Sequence, residues 1–177
     1  LIYQGRYHEA SVLADSKFMP TDSRGWNSGM KYQTFGSLKI SMPEQSQYEN
    51  YRRELSLDDA VATTSYTCAG VNYKINTVTS ITNNVIITHV SSDARAKINL
   101  TVFYTSPFIE AQGSRTMTEG DQIVLSGMGQ SQEGVRGGIR FEGRTKVLSD
   151  GGTVTVRDGN ISVSNANSAT IYTSIAT

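Results

Sequence analysis

The stretch AVATTSYTCAGVNYKINTVTSITNNVIITHV (60–90) decides the fold. Three runs rich in Val, Ile, Thr and Tyr (AVATTSYT, VNYKINTVTSI and VIITHV) are separated only by CAG and TNN. Side chains that alternate in this way suit a pleated, half-buried surface, and gaps this short leave room only for hairpins. The segment therefore predicts three consecutive antiparallel strands. Downstream the same pattern continues through INLTVFYTS, DQIVLSGM, IRFEGRTKVL, TVTVRD, ISVSNA and SATIYTSIAT, punctuated by SSDARAK, GQSQEGVRGG, SDGG and GN. Upstream, a period of two starts at Lys31 and sets Tyr32, Thr34, Gly36, Leu38 and Ile40 on one side. About nine strands joined mostly by tight turns predict a mainly β protein, a large two-sheet antiparallel β-sandwich.

One segment departs from this period. Tyr3, Tyr7, Ala10, Ala14 and Phe18 recur at helical spacing near the start, with Gly5 separating a short turn from the main helix and Pro20 closing it. A short helical segment thus precedes the strands. Composition does not change regime anywhere along the chain, so residues 1–177 read as a single domain, long enough to bury roughly 70% of its unfolded surface. Starting on LIYQGRY without a methionine, the sequence reads as processed, excised or truncated.

Sixteen basic and sixteen acidic residues cancel, which leaves no net field to draw nucleic acid or an anionic membrane. No apolar run approaches the roughly 20 residues of a spanning helix. A single cysteine, Cys68, excludes an intrachain disulfide, and with only His8 and His89 beside it no metal-ligand spacing exists. Cys68 reads as a thiol next to a turn rather than a nucleophile. The glycines of GQSQEGVRGG lack the G-x-x-x-x-G-K-[ST] spacing of a phosphate loop, so no cofactor is implied. Asn99-Leu100-Thr101 and Asn160-Ile161-Ser162 match the glycosylation triplet but fall in or beside predicted strands.

Two features invite a functional reading. NYRRELSLDDA (50–60) crowds Arg52, Arg53, Glu54, Asp58 and Asp59 together. Hydrolysis of a glycoside needs two carboxyl groups facing each other across a cleft, and neighbours in sequence point to opposite faces when extended. The cluster therefore reads as a charged, locally neutralised turn entering a strand, and no catalytic residue is assigned. The second feature is PTDSRGWNSGM (20–30), a polar loop holding the only tryptophan. Trp26, with Tyr32 and Gln33 shortly after it, supplies a flat aromatic and an amide of the kind that contact a pyranose. These three are the candidate sugar-contacting residues.

YQTFGSLKI (32–40) followed by NYRRELSLDDAVATTSYTCAGVNY (50–73) resembles the amino-terminal β-domain of glycoside hydrolase family 95, the α-L-fucosidases and related galactosidases. Tyr32, Gln33, Gly36, Leu38, Tyr51, Arg52, Arg53, Glu54, Leu55, Leu57, Asp58 and Ala60 carry the likeness, which extends over nearly the whole chain. Thr34, Phe35 and Ser37 depart from it, standing where the family pattern has Pro, Leu and Asp. The resemblance implies a non-catalytic domain whose partner is a helical catalytic domain of the same parent chain, carrying the catalytic carboxylate beyond Thr177. It also implies strands upstream of the helix, a parent that hydrolyses α-L-fucosides or related galactosides in glycans, and a bacterial periplasmic or extracellular location. The alternative is an autonomous carbohydrate-binding sandwich, for which nine tyrosines and Trp26 are candidate contacts. An intact enzyme of this length would need an opposed carboxyl pair that the sequence does not identify.

Overall fold

The computed structural model describes residues 1–18, 34–42, 45, 47–107, 114–129, 131 and 136–177. Twelve strands are described, and every pairing between them is antiparallel. In chain order they are β1 (Ser37–Ser41), β2 (Glu49–Ser56), β3 (Val61–Cys68), β4 (Val71–Ser80), β5 (Val85–Ser92), β6 (Ile98–Thr105), β7 (Arg115–Glu119), β8 (Gln122–Met128), β9 (Arg140–Asp150), β10 (Thr153–Arg157), β11 (Asn160–Ala166) and β12 (Ser168–Ala176). They form a four-stranded sheet in the order β1-β6-β11-β10 and an eight-stranded sheet in the order β2-β3-β4-β5-β12-β9-β8-β7.

The 60–90 stretch is β3, β4 and β5, three sequential strands paired as two hairpins. The β3–β4 turn is made by Ala69 (φ 48°) and Gly70 (φ 75°). Two consecutive left-handed residues match the right-handed twist of the flanking strands, as a type I′ hairpin requires. Asp158 (φ 51°) and Gly159 (φ 72°) do the same between β10 and β11.

Alternation in the sequence becomes alternation in burial. Along β6, Ile98, Leu100, Val102 and Tyr104 are buried while the residues between them are half-exposed. These side chains, with Ile161 and Val163 of β11, meet Val90, Ile123, Leu125, Val147, Ala169 and Ile171 from the large sheet in one apolar core. Inside that core runs a hydroxyl chain: Tyr104 Oη lies 2.7 Å from Thr145 Oγ1, which lies 2.9 Å from Thr173 Oγ1. These three hydroxyls are thereby satisfied without water.

Phe35, one of the departures from the family pattern, has a packing role. Its ring meets Tyr104 and Phe141 edge-on, both at centroid distances of 5.6 Å. It lies over Gly143, where a Cβ would come within 2.9 Å of the ring. A larger residue at 35 is thus matched by the missing side chain at 143.

The chain changes sheets between β9 and β12, and Asn167 ties that crossing together. Its backbone N–H donates to Asp150 O at 2.8 Å, and its Oδ1 accepts from the Ala96 N–H at 3.1 Å.

Two of the twelve strands, β2 and β7, are the outermost strands of the large sheet and were not expected from the sequence. Seven of the eight β2 residues are exposed, so neither face carries an apolar alternation. NYRRELSLDDA is therefore mostly strand, where a charged turn was expected. Only Leu57, Asp58, Asp59 and Ala60 form the turn, closed by Ser56 Oγ donating to Asp59 Oδ2 at 2.9 Å.

The chain groups into two compact units, 1–34 with 129–138, and 35–128 with 139–177; both sheets lie in the second. In the first, a 3-10 turn over Ile2–Gln4 ends on Gly5 (φ 68°), and α1 spans Tyr7–Phe18. Left-handed Gly5 separates turn from helix, as its position predicts. Arg6 pairs with Glu9 in the first turn of α1. Ala10 and Ala14 are half-covered, but Tyr3, Tyr7 and Phe18 on the same stripe are exposed. No described helix is long and apolar enough to cross a membrane.

Candidate functional site

Trp26, Tyr32 and Gln33, the residues singled out for sugar contact, lie outside the described residues. What the described residues do assemble is a polar recess at the end of the sandwich where β3 turns into β4. Its volume is about 390 Å³, and its wall includes Gln45, Tyr73, Lys97, Asn99 and Asn165, with Cys68, Ala69 and Val71 beneath. A second recess of about 570 Å³, lined by Gln47, Tyr48, Glu49, Thr67 and Gly70, adjoins it at Ala69.

Tyrosines organise one side. Tyr66 and Tyr73 are directly opposite across β3 and β4, and their rings stack at 5.4 Å with an interplanar angle of 14°. Tyr48 leans on Tyr66 at 6.1 Å and on Tyr51 at 5.5 Å. Tyr73 is only 7% exposed, whereas Tyr48 is 57% exposed. Burial, then the neighbouring Tyr73 and Cys68, push the Tyr66 phenol up to about 12. It therefore stays protonated and donates to Gln45 Oε1, which fixes that amide at the rim.

Hydrogen bonds to distant segments hold the other side. Asp93 Oδ1 accepts the Asn72 N–H at 2.9 Å and its Oδ2 accepts the Asn72 side chain at 2.7 Å. The Asn72 backbone bond first, and its side-chain bond second, hold the Asp93 carboxyl below the usual carboxylate range. That clamp fixes the link between β5 and β6, and so places Lys97. Asn99 Oδ1 accepts the Asn165 N–H at 2.9 Å across a bulge in β11. Asn99, the first of the glycosylation-type triplets, is thus engaged in shaping the fold.

Ala69, Ala96 and Asn165 all line the recess with positive φ, at 48°, 57° and 54°. Side-chain-bearing residues rarely adopt this conformation, which costs about 1 kcal/mol or more each, so the surrounding bonds must over-determine it.

The described lining offers amides, a lysine and an aromatic ring, which are binding groups. Among the described residues, neither histidine and no carboxylate lines the first recess, and Glu49 is the one acid lining the second. Elsewhere Glu119 and Glu142 come together, but around Arg144 at 2.9 and 2.6 Å on an exposed sheet face. Arg52 likewise pairs with Glu54 at 2.8 Å, which confirms local neutralisation within the opening cluster. Among the described residues no group of three potential metal ligands occurs.

Sequence reasoning counted Tyr66 and Tyr73 among nine candidate sugar contacts, whereas their rings stack on each other. It missed Gln45, Tyr48, Lys97, Asn99 and Asn165 as a group. The Tyr66–Tyr73 pairing across CAG was a usable signal, but nothing local links Lys97 to Asn165.

Comparison with known proteins places the chain. The family model described as "Glycosyl hydrolase family 65, N-terminal domain" matches residues 1–177, so the chain belongs to that family. None of the curated proteins matches it significantly. Among solved structures, one described as "Putative kojibiose phosphorylase from human microbiome" is similar in fold, with a TM-score of 0.54 at 9% identity over 83% of this chain. The match spans 22% of that longer chain. The family expected from the Tyr-Arg-Arg-Glu-Leu block is therefore met at the level of a glycoside hydrolase N-terminal β-domain, and the family named is 65 rather than 95.

Proposed function

We propose, from that membership, that this chain is the supporting domain of a larger glycoside-processing enzyme, with catalysis carried by a helical domain of the same parent polypeptide. The carrying observation is a sandwich whose described carboxylates are exposed, paired with cations or committed to turns, in a chain matched from end to end by an N-terminal-domain family. Such a domain contributes by packing and by shaping approach to a pocket it does not itself contain.

For the parent's substrate, α-L-fucosides or related galactosides in glycans are our reading, supported by Tyr51, Arg52, Arg53, Glu54 and Leu55. Export to a bacterial periplasm or beyond goes with it. A phosphorylase is the second reading, suggested by the fold neighbour's description. Two assays on the full parent protein separate them. Release of the aryl group from an aryl α-L-fucoside without phosphate supports the first. Phosphate-dependent cleavage of kojibiose, with formation of a sugar phosphate, replaces it with the second. In either case the 177-residue chain alone should turn over neither substrate, and turnover by it would overturn the supporting role.

A further inference from the structure

We propose that the recess beside the β3–β4 turn is a carbohydrate-binding site for a sugar residue that carries a carboxylate. This goes beyond the supporting role and does not depend on which reaction the parent performs.

The donors determine the chemistry. Among the described residues, Lys97 is exposed and has no ion-pair partner, and none of those lining the recess with it is an acid. An ammonium so placed is a standing site for an anionic group. Around it, Gln45, Asn99 and Asn165 bring three amides. Each amide both donates and accepts, as does each hydroxyl of a sugar ring, so amides suit a row of vicinal hydroxyls better than singly acting groups do. Gln45 already spends its Oε1 on Tyr66 and Asn99 its Oδ1 on the Asn165 N–H, which leaves their NH₂ groups as donors held in place. The volume falls within the roughly 300–1,000 Å³ usual for small-molecule sites.

Across Ala69, the exposed Tyr48 ring offers an apolar plane for the C–H face of an adjoining sugar. Glu49 on the same side disfavours a second acid there. The pair of recesses therefore fits an oligosaccharide with its carboxylate at Lys97 and a further ring over Tyr48. Three lining residues held at positive φ indicate a surface fixed before any ligand arrives.

The test titrates the protein with trigalacturonate and, separately, with neutral galactotriose, following backbone amide signals and binding heat. Expected is saturable binding of the acidic trimer, with shifts at Ala69, Lys97, Asn99 and Asn165 and little response to the neutral one. Lys97→Ala should weaken binding by about tenfold, and Lys97→Arg should keep most of it. Because Lys97 is exposed in a connecting segment, a well-dispersed spectrum of Lys97→Ala will verify that the variant is folded. Tyr48→Ala should weaken binding of the trimer more than binding of galacturonate monomer. The proposal is overturned by any of three results: no binding at ten-millimolar sugar, equal binding of the neutral trimer, or shifts confined to Trp26, Tyr32 and Gln33.

Discussion

Replacing Thr145 by Val removes the middle member of the hydroxyl chain in the core. Thr145 is fully buried, and Tyr104 and Thr173 are 4% and 5% exposed, so water cannot take over. The change leaves two hydroxyls without the partner they had at 2.7 and 2.9 Å. An orphaned buried hydroxyl costs about 1–3 kcal/mol, so Thr145→Val should lose about 2–6 kcal/mol. Tyr104→Phe is a different case. It deletes one end of the chain and leaves Thr145 bonded to Thr173, so the cost is near the net worth of one hydrogen bond, about 1 kcal/mol. Combining Tyr104→Phe, Thr145→Val and Thr173→Val removes every stranded group and should recover much of the loss. Urea unfolding with an unchanged m-value measures all three variants. The reasoning fails if Thr145→Val costs no more than Tyr104→Phe, or if the triple variant is no more stable than Thr145→Val.

Three shorter predictions follow from the same geometry. Gly152 has φ 66° and a Cβ there would lie 2.7 Å from Ala166 N, so Gly152→Ala combines strain with a backbone clash and should cost roughly 2 kcal/mol or more. Gly70→Ala, with φ 75° but open space, should cost about 1 kcal/mol, and equal thermal shifts for the two would refute the distinction. On the alkaline side, Tyr66 is raised in the folded state, so its contribution is intact below pH 10 and is lost as pH rises toward about 12. A Tyr66→Phe variant should flatten that part of the stability curve measured by denaturant titration at each pH. Hydrogen exchange should be fastest in β2, which is exposed and paired on one side only, and slowest in β6 and β11, whose inward residues are buried. Equal protection in β2 and β6 would contradict the burial pattern.

The legible part of this fold is the part where burial differs between the two faces of a strand. In β6 every second residue is buried, so the sequence writes the strand plainly. Turns were legible where glycine sat beside an Asp or a small residue, as at 69–70 and 158–159. β2 was obscured because both its faces are wet, which removes the apolar alternation that marks a strand. The recess was illegible for another reason. Lys97 and Asn165 are 68 positions apart in the chain (165 minus 97) and share a wall only because β6 and β11 are neighbours in the small sheet. No period or motif encodes a juxtaposition that sheet order creates.

That difference in burial also bears on where function can reside in this domain. The buried residues of the large sheet belong mainly to β12, β9 and β8; β3, β4 and β5 contribute only Cys68, Tyr73 and Val90, and β2 contributes none. A sheet of eight strands opposed by one of four leaves its β2–β4 side with little apolar cover. The chain compensates there with polar and aromatic stitching: the Asn50–Thr67–Asn72–Asp93 hydrogen bonds, the Arg52–Glu54 pair and the four-tyrosine cluster. Charges along an outermost strand, and the bulge between Glu49 and Arg52, also discourage uncontrolled pairing with another chain. The same groups that keep this side soluble and ordered leave amides, a lysine and an exposed tyrosine at its end. Removing Asp93 should therefore affect stability and the recess together: Asp93→Asn loses the carboxylate that holds Asn72 and should loosen the segment carrying Lys97. If Asp93→Asn leaves the amide signals of 94–97 unmoved, the clamp does not position the site.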